Sequence, residues 1–523
     1  MKKIFTLVAA ALCSMSMMAK DYTCPLVVNM MGTDMPVGDI KVSVDEQKDG
    51  KYTMSLLNFK MNEFMQIGNI VIKDVEATKC GNVIMLNAAR DIQITKGDDE
   101  SVEWMGPGLG NVNILLKGEL KGDNFNACLN IPLAGNMIVG VKLGKNCNEM
   151  GQLPNAGFEN FHEASYDSAK SQEPNGWHSF MSSTGNMAGM VSAAVHTYAS
   201  SEVRENAAED NKQCVKIVST PVKVGSLVAA SANGTITTGR LKADNMSASH
   251  KDNCSFLDFS STGVDANGDP FYAVLNNKPD SMKVWVKFKA GDGNKNPKAT
   301  ISALLTNGEY AQDPEDDKYA ANIIARANNS SIESKDEWQE ITIPFTYDNK
   351  NEMPKAALVT ISTCAVPSGG SKSDNPDVLY VDDVEMVYNA GVKKVTMDGK
   401  DITNEFDEAG ELEIEGYSKD LDINNFQLEA IGAGAYVTKK ITGDGFDTYV
   451  SFTVTSNDLK NCVTRTITLK GYTTGIKNLE TLTLPNGVKA IYNMAGQQVT
   501  DMQSGQVYIV KYTNGETKKM IKK

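Results

Sequence analysis

Chemistry in this chain would have to come from carboxylates, four histidines and a few aromatic rings. The carboxylates that stand close together in sequence are Asp265-Ala266-Asn267-Gly268-Asp269, Asp313-Pro314-Glu315-Asp316-Asp317 and Asp382-Asp383. A glycoside hydrolase needs two carboxyl groups facing each other across a cleft. Consecutive acids on a proline-containing loop are instead expected to form a solvated surface, and nothing in the sequence pairs one of residues 313–317 with a partner. The 265–269 segment imitates the start of an EF-hand loop, but Pro270 stands where the turn glycine belongs and Asn276 where the terminal glutamate belongs. It therefore reads as a turn. Asp382 and Asp383 interrupt an otherwise apolar strand, where uncompensated charge is costly. The histidines are His162, His178, His196 and His250, and four scattered rings define no Ser-His-Asp grouping. HExxH, CxxC and GxxxxGK[ST] are all absent, which removes the usual zinc, redox and nucleotide signatures. No catalytic set emerges.

The composition bounds what must position these residues. A chain of 523 residues has a prior of three to four domains at roughly 150 residues each. With 41% hydrophobic and 22% charged residues it can build several packed cores, which argues against global disorder. Net charge is −14, and only Arg90, Arg204, Arg240, Arg326 and Arg465 offer a guanidinium, so nucleic acid is excluded as an expected partner. Met1-Lys2-Lys3, the apolar run Ile4 to Ser16 and the small Ala19 read as a signal peptide over 1–19, so export is expected. No later stretch approaches the roughly 18 apolar residues of a spanning helix, and no transmembrane span is expected. Removal of 1–19 would leave eight cysteines, an even count that permits disulfides in an exported chain. Cys24 and Cys147 would staple the first unit, while the other six could equally be buried thiols.

Between Cys24 and Cys147 short alternating runs are punctuated by Asp-Gly and Gly-rich turns, as in Lys41-Val42-Ser43-Val44 and Gly68-Asn69-Ile70-Val71-Ile72. About eight such strands with no helical periodicity suit a closed up-and-down barrel over 20–147, because closure removes exposed strand edges. Ten methionines from Met30 to Met150 could line a lipid-like cavity, although methionine more often fills irregular core space. Through Gly68-Asn69-Ile70 and its repeated strand and turn units this stretch resembles the calycin-like β-barrel domain of exported proteins of Gram-negative bacteria.

A second unit opens at Leu153-Pro154-Asn155-Ala156-Gly157-Phe158-Glu159 and continues through Pro174-Asn175-Gly176-Trp177-His178-Ser179 and Gly234 to Arg240. It runs on through Gly268 to Phe271 with Lys278 to Lys289, and Trp338 to Phe345, to Leu379-Tyr380-Val381-Asp382-Asp383-Val384. That order resembles the "putative carbohydrate metabolism domain", a jelly-roll family similar to carbohydrate-binding modules, over 152–388. From 391 to 472, alternation such as Tyr449 to Thr455 points to a small Ig-like sandwich. Over 476–523, Tyr492-Asn493-Met494-Ala495-Gly496-Gln497 and Gly505-Gln506-Val507-Tyr508-Ile509-Val510-Lys511 resemble the C-terminal sorting domain of type IX secretion cargo. That resemblance implies secretion machinery as a partner. The fold class expected is thus all-β: an up-and-down barrel, a jelly-roll sandwich, a small Ig-like sandwich and a C-terminal β domain.

Sandwiches bind sugars with exposed aromatic faces and short polar side chains, which makes Trp177, Tyr198, Trp285, Tyr310 and Tyr319 candidates. The carbohydrate-binding set expected is Trp285, Trp177 and Tyr310. In Met282 to Lys289, Val284, Val286 and Phe288 alternate with Lys283, Trp285, Lys287 and Lys289, which turns Trp285 toward the lysine-bearing face. Trp338 heads a strand whose Ile341, Ile343 and Phe345 share one face, and reads as a core or rim residue. The resemblance to carbohydrate-binding modules implies a structural Ca²⁺ held by Glu159 and by Asp382 or Asp383. The function expected is non-catalytic binding of a polysaccharide or glycoprotein glycan by an exported protein of the cell surface, outer membrane or medium. The alternatives are glycoside hydrolysis in the jelly roll, and a structural or adhesive surface protein with a lipocalin-like ligand barrel.

Overall fold

The computed structural model describes residues 19–30, 32–133, 137–192, 195–224, 227–260, 262–348, 351–473, 488–493, 498–499, 507–512 and 517–521. The signal-peptide segment up to residue 18, and Met494 to Gln497 and Gly505-Gln506 of the sorting elements, lie outside the described residues.

Strands β1 (Lys20–Met30), β2 (Thr33–Glu46), β3 (Tyr52–Lys60), β4 (Gln66–Cys80), β5 (Val83–Gln93), β6 (Asn111–Lys121), β7 (Asn124–Pro132) and β8 (Ile138–Leu143) close into one antiparallel barrel. Closure is made by β1 against β8, with Leu26 opposite Leu143. Alternation along β1 sends Tyr22, Cys24, Leu26 and Val28 inward. There they join Val42, Met54, Ile72, Leu86 and Ile114 in a single side-chain-filled core, so the interior is packed rather than an open cup. Among the described residues the eight cysteines are free and seven of them are buried; Cys128 donates its S–H to the Cys147 carbonyl, 3.3 Å away, and Cys24 and Cys147 form no staple.

The β4–β5 turn docks on the next unit. Gly81 sits at φ +57°, and a Cβ there would stand 1.7 Å from the Tyr272 hydroxyl, so only glycine allows this approach. Around it Cys80, Val83 and Met85 of the barrel share an apolar cluster with Leu257, Leu304 and Leu358.

Beyond the barrel, a hairpin of β9 (Phe161–Tyr166) and β10 (Ala169–Pro174) precedes a two-sheet sandwich. One sheet runs Thr197–Ser200, Cys214–Val218, Val378–Val387, Ser281–Lys289, Gln339–Pro344. The other contains Thr235–Thr237, Ala356–Ser362, Lys298–Thr306, Ile323–Glu333 and Thr346–Tyr347, with Ala273–Val274 on Ala356–Ser362. Their inner faces meet in a core that includes Met282, Val284, Val286, Phe288, Ile301, Ala303, Val359 and Leu379. A third core, with Val395, Phe426, Val450, Phe452, Ile467 and Leu469, lies between smaller sheets of residues 391–470. The C-terminal strands Val488–Asn493, Gln498–Val499, Val507–Tyr512 and Thr517–Ile521 form one four-stranded antiparallel sheet. The molecule is all-β, with two-sheet sandwich packing beside the barrel.

The three larger units meet at Lys117. Its buried ammonium donates to the Asn276 carbonyl at 2.7 Å and to Asn457 Oδ1 at 3.3 Å. Burial holds this amine down to about 7, with Asp458 pulling the other way.

Candidate functional site

Strand Ser281–Lys289 lies between Val378–Val387 and Gln339–Pro344, with Trp285 opposite Asp382 on one side and Glu340 on the other. Val284, Val286 and Phe288 are completely buried, and Trp285 emerges on the outer face, as the alternation requires. A bulge interrupts the pairing between Lys283 and Trp285, and Asp383 takes φ +43° there. The irregularity resets the alternation, so Asp382 shares the outer face with Trp285 while Val384 returns to the core.

A loop from residues 201–213 covers this point. The Arg204 guanidinium lies 5.0 Å from the centroid of the Trp285 ring, a cation–π contact. Its Nη1 also pairs with Asp382 Oδ2 at 3.1 Å and its Nη2 pairs with Asp383 Oδ2. Asn211 Nδ2 donates to both carboxylates, at 3.1 and 3.2 Å. Glu159 Oε1 accepts the backbone N–H groups of Lys212 and Gln213, at 2.8 and 3.1 Å. Burial, then the Asp383 charge, holds the Asp382 carboxyl up to about 6, against the pull of Asn211 and Arg204.

The calcium expectation therefore meets a different arrangement. Glu159, Asp382 and Asp383 are neighbours through residues 211–213, but a guanidinium and an amide stand where a divalent ion would draw the two aspartates together. Among the described residues these three do not gather as a metal-holding group. Arg204 is the residue that sequence reasoning missed; its signal was being one of five arginines in a lysine-rich chain.

Beside Trp285 a groove of about 610 Å³ runs along the sheet toward the third unit. Its walls include Arg204, Lys283, Glu385 and Gln152, and Asn461 from the third unit. Lys460 clamps that wall, donating to the carbonyls of Asn148 at 2.8 Å and Met150 at 3.0 Å, while Asn461 Nδ2 donates to the Tyr388 carbonyl at 3.2 Å. One aromatic ring with amide and charged groups lining the same groove suits a polar ligand with an apolar face.

The other aromatic candidates are placed elsewhere. Trp177 is 0% exposed, packed at 5.2 Å against Phe158, and donates its indole N–H to the Pro154 carbonyl at 2.9 Å. It is a core residue and offers no face to a sugar, which corrects its place in the binding set. Tyr310 is half-buried between Phe256 at 5.7 Å and Tyr319 at 4.3 Å, and its hydroxyl donates to Gln312 Oε1 at 3.2 Å. Both ring neighbours compete with a ligand for its faces, and neither Tyr310 nor Trp177 joins the groove. Tyr198 is exposed, with Lys216 5.9 Å from its centroid. Trp338 is half-buried, 6.5 Å from Tyr380, in keeping with a rim position.

The acidic run at 313–317 is also less free than a solvated surface. Asp313 accepts from Ser302 Oγ, Glu315 takes a forked contact from Arg326 at 2.7 and 3.0 Å, and Asp316 caps the turn at 317–322 and pairs with Lys251 at 3.0 Å.

Comparison with known proteins places the first unit. Residues 18–143 match the Calycin-like beta-barrel domain family. No curated protein matches the chain. Among solved structures, a "putative glycoside hydrolase" from Bacteroides vulgatus is 15% identical over 44% of this chain and 96% of its own, with a TM-score of 0.31. A second, from Bacteroides thetaiotaomicron, is 13% identical over 50% and 79%, with a TM-score of 0.29. A structure of carbohydrate-binding modules of the β-sandwich superfamily is 10% identical over 60% and 96%, with a TM-score of 0.20. Among the described residues no helix is long and apolar enough to cross a membrane.

Proposed function

We propose that the unit at 152–388 binds a glycan without cleaving it, in the groove beside Trp285. The observation that carries this reading is the Trp285 ring, held on the outer face of a rigid strand with Arg204 against it and polar side chains around it. An aromatic plane fixed by its neighbours stacks on a sugar face at small entropic cost. The six ordered sequence motifs that resemble a carbohydrate-related jelly-roll family support the same ligand class. The acids at the groove speak against hydrolysis. A glycosidase needs one carboxyl free to protonate the leaving oxygen and a second across the sugar ring. Of the carboxylates that line the groove, Asp383 is engaged by Arg204 and Asn211, Glu385 pairs with Lys283 at 2.8 Å, and Asp458 accepts from Ser456 Oγ and the Lys460 N–H.

The reading includes export. The 1–19 segment and the Tyr492 and Gly505 elements support it, and secretion machinery would be the partner of residues 476–523.

The test is a glycan array probed with the chain from Lys20 onward, followed by incubation of any captured polysaccharide and analysis of its chain length. Retention of neutral or basic glycans with no shortening is expected, because the net charge of −14 opposes sulfated ones during encounter. Retention of nothing, or release of shorter sugars, would overturn the reading.

A further inference from the structure

Below the sandwich surface, at the foot of the β9–β10 hairpin, His162, Glu173 and Asp265 turn one atom each toward a common point, and His178 faces Asp265 beside it. His162 comes from β9, Glu173 from β10, His178 from the turn that follows, and Asp265 from the loop at 265–269. His162 Nε2 lies 3.3 Å from Asp265 Oδ2 and 3.8 Å from Glu173 Oε2, and His178 Nδ1 lies 3.3 Å from Asp265 Oδ2. The side chains are deeply buried, with exposures of 10% for His162, 0% for Glu173 and His178, and 2% for Asp265. None of these four inward atoms makes a hydrogen bond.

The outward atom of every one of the four is held. His162 Nδ1 meets Asn175 Oδ1 at 3.0 Å, and His178 Nε2 meets the Pro270 carbonyl at 3.2 Å. Both partners are acceptors, so each ring carries a proton on the outer nitrogen, and in the neutral ring the inner nitrogen presents a lone pair. Glu173 Oε1 accepts the N–H of Ser179 at 2.7 Å and also its hydroxyl. Asp265 Oδ1 accepts the N–H groups of Asn267 at 2.9 Å and Asp269 at 2.8 Å. Ring nitrogens and carboxylate oxygens thus converge in a deeply buried pocket, and such a set is expensive to bury unless protons or a metal cation sit between its members.

From this convergence we propose that His162, Glu173 and Asp265 are protein ligands of a buried structural site for a first-row divalent transition metal, zinc being the ion whose chemistry fits, with His178 set beside Asp265. An imidazole and two carboxylates are ligands that zinc takes, with a fourth, in tetrahedral form, at about 2.0–2.2 Å per bond. Such bonds at the tetrahedral angle put neighbouring ligand atoms about 3.3–3.6 Å apart; His162 Nε2 lies 3.3 Å from Asp265 Oδ2 and 3.8 Å from Glu173 Oε2, and the three ligand atoms all lie within 4.8 Å of one another. Calcium would want six to eight oxygens and no imidazole. The outer hydrogen bonds fix tautomer and ring orientation, as outer partners do in zinc proteins. With three protein ligands from the hairpin and the 265–269 turn and almost no solvent access, the ion would tie the two together.

The experiment uses the purified chain from Lys20 onward, stripped with chelator and titrated with zinc or cobalt(II). One equivalent should bind, with the visible absorption of tetrahedral cobalt and a rise in melting temperature that calcium and magnesium do not reproduce. Asp265→Asn and His162→Gln should each weaken zinc binding at least about 100-fold. If either variant fails to fold, the cobalt spectrum of the unaltered chain decides, because nitrogen and oxygen ligation lacks the strong near-ultraviolet bands of thiolate ligation. Four outcomes would overturn the proposal: no bound metal, a thiolate spectrum, equal binding by the variants, or stability that follows pH with no response to metal.

Discussion

Two groups of acids lie in the same sandwich, and they deal with buried charge in opposite ways. Asp382 and Asp383 are adjacent in sequence and meet a guanidinium and an amide that supply donors. Glu173 and Asp265 are 92 residues apart and meet two imidazoles whose donors are already spent on Asn175 and Pro270. The first group is complete as protein, and its surroundings are free to serve an organic ligand at Trp285. The second is a buried set whose inward atoms make no hydrogen bond. Adjacency in sequence therefore says little about which acids need an ion; the number of donors left over in space decides it.

The sharpest way to break this contrast is to remove one acid from the second group. In the zinc-loaded chain Asp265→Asn is expected to cost about 3–5 kcal/mol, the range for stripping one partner from a buried charged set. A loss under about 1 kcal/mol in thermal melts would mean that the cluster is not under electrostatic demand.

Arg204→Ala should cost about 2–3 kcal/mol, because Asp382 is completely buried and would lose its cation. In that variant added calcium should recover part of the loss while leaving the unaltered chain unmoved. Calcium stabilisation of the unaltered chain would show that Arg204 does not fill the cation's place.

The contrast can be sharpened with pH. Lys117 is a buried cation with no carboxylate in hydrogen bond with it, and its amine is held down to about 7 from 10.5. The unfolded chain then holds more protons over that interval, so the burial penalty present below about pH 7 is relieved as pH rises toward 10.5. Lys117→Met should flatten this rise in urea melts, by about 2–4 kcal/mol across the interval. Asp382 runs the other way. Its carboxyl is held up to about 6 from 3.8, so the stability that its proton contributes is present below 3.8 and lost as pH passes 6. Asp382→Asn should remove about 1–3 kcal/mol of pH dependence between those values, and an unchanged slope would contradict the assigned burial.

Much of this was legible from residues alone, for identifiable reasons. The barrel announced itself because period-two alternation and glycine turns leave a mark in every strand. Trp285 was placed on the outer face by Val284, Val286 and Phe288, since a strand's two faces are fixed once one is apolar. Trp177 was misplaced because it sits in a turn, where no periodicity says which way a ring points. The metal-type cluster was invisible for a related reason. Its ligands come from β9, β10, a turn and a distant loop, at spacings that match no motif. Asp265 was read as a turn residue, and it is one: Oδ1 closes the turn, while Oδ2 points inward.

The central claim, that the groove beside Trp285 is the glycan site, comes down to melting and binding measured together on Trp285→Ala. Trp285 lies outside the apolar core, so the melt should shift by less than about 1 kcal/mol, while affinity for an array-selected oligosaccharide by calorimetry should fall by about 1–3 kcal/mol. A stability loss of about 3–5 kcal/mol would make the ring a packing residue, and unchanged affinity in a well-folded variant would place the glycan elsewhere.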